Sequence, residues 1–234
     1  MAGPLKGYLW TTESSYDYIL GSYEDPQTVK TFCSWLNPDT VFYDLGGNVG
    51  FYALMANRFI STGKIYSFEP IPFLRSILEK HIALNQKHIQ HDNISIQPFA
   101  ISDQEREVIF SNNIKLREGN TYKESAENFA KSKERIRVKC YSIDELLQRG
   151  YDIPDIIKID VEGAELDVLK GGINTLKIYK PSILLATHDC HLPGVKDQCI
   201  DLLRQLGYSV QHTGYYYKQM SGLDDYIAVH QTKL

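Results

Sequence analysis

The sequence predicts an α/β fold with a mostly parallel sheet, and three observations carry that expectation. Short β-prone runs alternate with longer runs of helical apolar spacing along most of the chain. Residues 41–60, VFYDLGGNVGFYALMANRFI, read as a strand, a tight glycine turn and a helix. A second strand, KIYSFE at residues 64–69, ends in a carboxylate about 20 positions after the first glycine, the spacing of a βαβ unit that holds a nucleotide-like ligand over its strand tips.

The 234 residues suit one α/β domain with a modest insertion and are enough for a substantial core. Residues 1–37 form an N-terminal cap segment rich in tyrosine, among them Tyr16, Tyr18 and Tyr23. It closes with a helix over 28–36 that carries Val29, Phe32, Cys33 and Leu36 at helical spacing. After the first βαβ unit, residues 72–86 read as a helix with a proline in its first turn, and 93–99 as the third strand. FAISD, residues 99–103, follows that strand's end.

Strands are expected near 108–110 and 136–141. Between them, 111–135 is a long polar loop with no helical stripe, open to reading as a lid, a substrate loop, a disordered segment or a solvated hairpin. Residues 142–150, SIDELLQRG, have an N-cap serine, an acid three positions on and a glycine stop. A fourth strand over 155–160 ends in Asp160. The helix after it is expected to bury Ala164, Leu166, Val168 and Leu169, and its opening gathers Asp160, Glu162 and Glu165. Attraction to a helix dipole accounts equally well for acids in that place.

A fifth strand, 181–187, runs into HDCHLPG, which brings His188, Asp189 and His191 to one loop. Such a set can ligate a divalent ion, or one imidazole can act as a base near neutral pH. Residues 195–206 are helical, 208–212 and 226–230 are strands, and Tyr215, Tyr216 and Tyr217 on the connection offer either stacking faces or packing.

Composition narrows the function classes. Net charge is −4, so a phosphate-backbone partner is not expected. No apolar run approaches the roughly 18 residues needed to span a bilayer, and the first residues lack the apolar core of a signal peptide. Cys33, Cys140, Cys190 and Cys199 share no C-x-x-C spacing and read as free thiols, so a cytoplasmic setting is expected.

The glycine spacing decides between ligands. Gly46, Gly47 and Gly50 do not meet G-x-G-x-x-G, while Asp44 stands two positions before the first glycine and Asn48 lies between the others. The order D-x-G-x-N-x-G resembles motif I of the class I S-adenosylmethionine (SAM) methyltransferases, in the form used by the FkbM family. IKIDVEGAELDVLKG, residues 157–171, resembles that family's most specific signature, and YILGSYE, residues 18–24, resembles a segment that lies near its cofactor. The likeness runs from about residue 16 to residue 230, almost the whole chain.

The resemblance implies a Rossmann-like seven-stranded sheet, mostly parallel with its last strand antiparallel and helices on both faces. It implies one methyltransferase domain over residues 1–234, with SAM as cofactor and S-adenosyl-L-homocysteine as product. Asp44 would face the cofactor's ammonium end. Gly46, Gly47, Asn48 and Gly50 would admit its backbone, Glu69 with Pro70 would take the ribose, and Ala100, Ile101 and Ser102 would pass the adenine. Asp160 would sit where methyl group and acceptor meet. An alcohol loses a proton as it attacks, so Asp160, Glu162 and His188 are the candidate catalytic residues. Where the family carries a Glu-His pair, this chain has Thr187 and His188.

The expected activity is O-methylation of a small molecule, a saccharide or a polyketide-type product, by a monomer or homodimer. No metal is assigned, although a metal-assisted variant using Asp160 with His188 or Asp189 stays open. Two readings from other classes stay open as well: a catalytically silent SAM-binding protein, and a nicotinamide-dependent oxidoreductase or epimerase on a similar sheet.

Overall fold

The computed structural model describes residues 3–14, 17–18, 24–89, 91–111, 135–213 and 222–233. Tyr16, Tyr23, residues 112–134 of the expected long loop and Tyr215, Tyr216 and Tyr217 lie outside them.

Seven strands form one sheet in the order β3-β2-β1-β7-β8-β10-β9. Their ranges are β1 Val41–Leu45, β2 Lys64–Phe68, β3 Ile94–Gln97, β7 Ile156–Ile159, β8 Ser182–His188, β9 Tyr208–His212 and β10 Leu223–His230. Neighbours from β3 to β8 pair in parallel, whereas β10 is antiparallel to both β8 and β9. This is the sheet expected from the sequence. The chain leaves β1 outward toward β3 and later returns to the other side of β1 as β7, so the crevice over the β1 and β7 tips is a topological switch point.

Alternation along the central strands sorts their side chains onto two cores. Tyr43, Leu45, Ile157, Ile159, Ile183 and Leu185 pack on one face with Leu146, Val168, Leu169, Leu176, Cys199 and Leu203. Those partners come from helices α4 (Ile143–Gln148), α5 (Glu165–Gly171), α6 (Ile173–Ile178) and α7 (Val195–Gln205). On the other face Phe42, Ile65, Ile156 and Leu184 meet Phe32 of α1 (Pro26–Trp35) and Tyr52, Ala53 and Leu54 of α2 (Phe51–Asn57). Helix α3 (Pro72–Leu84) lies beside α2 through Leu74, Ile77 and Val49.

The capping signals behave as the sequence suggests. Ser142 Oγ accepts the Glu145 N–H while Glu145 accepts the Ser142 N–H, a reciprocal capping box that opens α4. Helix α1 begins two residues earlier than expected, because Asp25 caps it by accepting the Thr28 N–H at 2.8 Å.

Two features were not anticipated. The strands near 108 and 138 leave the main sheet and join residues 100–101 in a second sheet, β4 (Ala100–Ile101), β6 (Arg135–Tyr141) and β5 (Arg106–Ser111) in that order. Helix α6 follows α5 almost without a break, held by Asp144, which accepts the Thr175 N–H and hydroxyl at 2.8 and 2.6 Å.

Residues 5–14 and Tyr18 pack onto α2 and α3. Asn85 accepts the Leu9 N–H at 2.7 Å and donates to the Leu9 carbonyl at 2.9 Å. Trp10 stacks on Tyr18 and Phe51.

Candidate functional site

The strand tips set out a row of titratable side chains across the carboxyl edge of the sheet. Glu69 follows β2, Asp44 is next to last in β1, Lys158 is next to last in β7 with Asp160 just after it, His188 ends β8, and Asp225 is the third residue of β10. Strand register decides which of them meet. Ser67, Asp44 and Lys158 are consecutive partners across β2, β1 and β7, so all three point to the α1/α2 face.

Asp44 is 1% exposed. Its Oδ2 accepts the Ser67 hydroxyl at 3.3 Å, while Oδ1 lies 3.5 Å from Lys158 Nζ and makes no hydrogen bond among the described residues. Burial raises its pKa above the ordinary carboxylate value, against the pull of Lys158. Lys158 donates to the Gly46 carbonyl at 2.8 Å and approaches Asp160 Oδ2 at 3.2 Å. Burial opposes the charge on Lys158, but the Asp160 and Asp44 carboxylates outweigh it and hold its pKa above the usual lysine value. Asp160 is half-buried, and Lys158 and His188 keep its carboxyl below the usual range against that burial.

Such a glycine turn is expected to leave backbone N–H groups free for a ligand; here they are taken. Gly46 and Gly47 both donate to the Phe68 carbonyl at 3.0 Å, Asn48 donates to Glu69 Oε2 at 3.0 Å, and Gly50 donates to the Gly47 carbonyl at 2.8 Å. The turn is pulled sideways onto the β2 tip. Gly46, at φ 82°, also lies so close to β7 that a Cβ would run into the Asp160 carbonyl. Gly50, at φ 96°, caps α2 from the left-handed region.

Glu69 is 4% exposed, and its Oε1 accepts the Ile71 N–H at 2.8 Å. With Asn48 on Oε2, each oxygen keeps a further lone pair, and burial pushes the carboxyl up to about 7. Pro70 offers its carbonyl to Arg75 at 2.7 Å. The FAISD residues stand apart from this row. Ala100 and Ile101 pair with β6, Ile101 belongs to the main core, and Ser102 accepts from Arg106 at 2.7 Å and donates to Asp103 at 3.1 Å.

The β7 and β8 tips bring the three candidate catalytic residues together. His188 Nε2 lies 3.6 Å from Asp160 Oδ1 and 3.4 Å from Glu162 Oε2, and His191 Nε2 lies 3.1 Å from Glu162 Oε2. Glu162 sits at φ 55°, a region rare for residues other than glycine, which turns its carboxylate back over the strand tip.

Of the four residues expected to be buried around α5, Val168 and Leu169 are fully buried, Ala164 and Leu166 are only half-buried, and Glu165 is fully buried beside them. Glu165 Oε1 takes the Gly163 N–H at 2.7 Å and holds His188 Nδ1 at 2.7 Å. Burial opposes a charge on His188, but the Glu165 hydrogen bond with the Glu162 and Asp160 carboxylates pushes its pKa up to about 9. Asp189 turns elsewhere, accepting the Lys196 N–H at 2.8 Å in the first turn of α7.

A small enclosed space behind Asp160 is lined by Glu24, Tyr52, Lys158, Asp160 and Asp225. Tyr52 donates its hydroxyl to Glu24, and burial with the neighbouring Asp225 raises Glu24 to about 8. Burial likewise raises Asp225 to about 6. Sequence reasoning missed Lys158 and Asp225, and it gathered Glu165 with the site acids without its histidine partner. A lysine inside an otherwise apolar strand was the signal available for Lys158.

Comparison with known proteins follows the same outline. Residues 44–214 match the model of the methyltransferase FkbM domain. The hexuronic acid methyltransferase AglP of Haloferax volcanii is 29% identical over 140 residues, 59% of this chain and 52% of AglP. Methyltransferase sdnD of Sordaria araneosa is 26% identical over 55% of this chain and 58% of sdnD. The AMB antimetabolite synthetase AmbE of Pseudomonas aeruginosa is 27% identical over 75% of this chain but only 10% of AmbE. The chain thus spans from a tenth to somewhat over half of these curated relatives.

Among solved structures, methyltransferase FkbM from Methylobacillus flagellatus KT superposes with a TM-score of 0.56 at 14% identity, covering 83% of this chain and 44% of that one. The precorrin-6y C5,15-methyltransferase from Geobacter metallireducens GS-15 gives 0.54 at 12% identity over 99% and 98%. Both likenesses are of fold.

Proposed function

This chain belongs to the FkbM methyltransferase family, and from that premise we propose that it transfers a methyl group from SAM to a hydroxyl of a small molecule, a saccharide or a polyketide-type product. The observation that carries the reading is the row of acids across the switch point, Glu69 and Asp44 on one side and Asp160 and Glu162 on the other. A saccharide acceptor agrees with the hexuronic acid named for AglP.

The residues present fit the cofactor. Asp44 Oδ1 is a buried acceptor without a hydrogen bond among the described residues, suited to an ammonium group or its water. Glu69 is oriented by two backbone amides and retains capacity for both ribose hydroxyls. Gly46, Gly47, Asn48 and Gly50 form the turn beneath, with Pro70 beside Glu69. Ala100, half-buried, is the FAISD residue left to reach an adenine edge, since Ile101 and Ser102 are engaged in packing and hydrogen bonds.

SAM supplies an electrophilic sulfonium methyl when bound. The chain's own work is alignment, exclusion of water and handling of the acceptor proton. With His188 holding its proton at neutral pH, the Asp160 and Glu162 carboxylates are the groups that accept one. Lys158 keeps Asp160 ionised and fixed between the cofactor and acceptor sides.

Incubation with methyl-labelled SAM and a panel of saccharide and polyketide acceptors tests the proposal. Label should pass to a hydroxyl-bearing acceptor in an alkali-stable ether. Absence of transfer to every acceptor, with SAM bound, would favour a silent SAM-binding protein.

A further inference from the structure

One oxygen each of Asp160 and Glu162 and one ring nitrogen of His188 lie within 4.8 Å of one another. The imidazole Nε2 faces the two carboxylates at 3.4 and 3.6 Å, beyond the range of a well-formed hydrogen bond. Two ligands held about 2.1 Å from one ion at a tetrahedral angle are about 3.4 Å apart. The spacing is that of donors around a shared cation.

The far side of two of the donors is already fixed. His188 Nδ1 is bound to Glu165 Oε1 at 2.7 Å, and Glu165 is itself fully buried and held by the Gly163 N–H. The Glu165 contact takes the Nδ1 proton and aims Nε2 inward, the outer-shell arrangement of metal-bound histidines, and an ion entering the site displaces the proton that Nε2 carries while the site is empty. Asp160 gives Oδ2 to Lys158, leaving Oδ1 toward His188. His191 Nε2, 3.1 Å from Glu162 Oε2, holds that carboxylate from the rim.

We propose that Asp160, Glu162 and His188 form a site for one divalent first-row transition ion, which takes the acceptor hydroxyl as a further ligand during methyl transfer. Imidazole beside two carboxylates suits Mn2+, Fe2+, Co2+ or Zn2+ better than Ca2+ or Mg2+. Glu162, in the turn after β7, takes the place a loop carboxylate could fill, since Asp189 is turned away to accept the Lys196 N–H.

The site stands on its own geometry, while its use in catalysis rests on the methyltransferase reading. In that use the ion acidifies the coordinated hydroxyl, whose proton passes to the free Glu162 oxygen. The acceptor oxygen then bonds to the methyl carbon as the carbon–sulfur bond breaks, its electron pair stays on sulfur, and the cofactor leaves as neutral S-adenosyl-L-homocysteine.

Mn2+ titration of the metal-stripped full chain, followed by electron paramagnetic resonance, tests the site directly. We expect one equivalent bound, lost in His188→Ala and Glu162→Gln, and weakened roughly 10- to 100-fold in Glu165→Gln. Circular dichroism of each variant identifies any that fail to fold, and the partly exposed Glu162→Gln keeps the test decisive if His188→Ala does. No binding at millimolar Mn2+, or binding unchanged in folded Glu162→Gln, overturns the site. SAM binding and methyl transfer undiminished by a chelator overturn its catalytic use while leaving the methyltransferase reading intact. Mn2+ binding without any SAM binding does the reverse.

Discussion

Asp44 and Lys158 are register partners on β1 and β7, both buried, with Oδ1 and Nζ 3.5 Å apart at the centre of the sheet's carboxyl edge. Lys158 is also the cation next to Asp160, so one ammonium serves the carboxylates at both β1 and β7 tips. The pair ties the glycine turn to the strand whose end carries the candidate catalytic acid.

Removing the cation should therefore cost stability. In Lys158→Met the buried Asp44 loses its counter-charge and the half-buried Asp160 loses one of its two, and unfolding in urea should show a loss of roughly 3–5 kcal/mol. Asp44→Asn in the same background should restore part of it. A loss under about 1 kcal/mol would mean that water, rather than Lys158, solvates these groups.

Asp44→Ala and Glu69→Ala should each weaken SAM binding roughly tenfold or more, since each removes a charge-assisted contact. Isothermal titration calorimetry reads this directly. Unchanged affinity in both variants would remove the basis for placing the cofactor over β1 and β2.

Asp160→Asn should separate chemistry from binding. It keeps the shape and one acceptor oxygen but not the charge, so turnover should drop roughly 100-fold while SAM affinity moves far less. Equal losses in both would make Asp160 a cofactor ligand only.

Glu69 gives stability a pH signature. Burial raises its folded pKa from 4.5 to about 7, so the folded chain binds more protons than the unfolded one between those values. The sign follows: its contribution is fully present below the unfolded pKa and is lost as pH rises through about 7. Ligand-free protein should lose on the order of 3 kcal/mol from this group between pH 4.5 and 8. Glu69→Gln should flatten that share of the slope in denaturant titrations across the range. An identical pH profile in wild type and variant would count against a buried, proton-holding Glu69.

Much of this arrangement was legible in the sequence. The strand–turn–helix at Asp44 to Gly50, the strand ends at Glu69 and Asp160, and the Ser142–Glu145 cap all follow from local rules of propensity, turn chemistry and capping. What stayed hidden depends on cross-strand register and tertiary burial. Lys158 looks like an oddity in an apolar strand until β7 pairs with β1 and sets it opposite Asp44. Glu165 reads as a first-turn helix charge, and only its meeting with a histidine 23 positions on reveals why it is buried. The FAISD loop was placed by likeness alone, and the second sheet, invisible to local pattern, draws Ile101 and Ser102 into packing.

Asn85 holds Leu9 by both its amide and its carbonyl, although Leu9 belongs to no helix or strand. Its amide proton is therefore locked by a side chain of the turn after α3 and should trade with deuterium only when that helix opens. A stretch that looks like loose leader would then report, by its slow isotope uptake, on the integrity of the scaffold beneath the cleft.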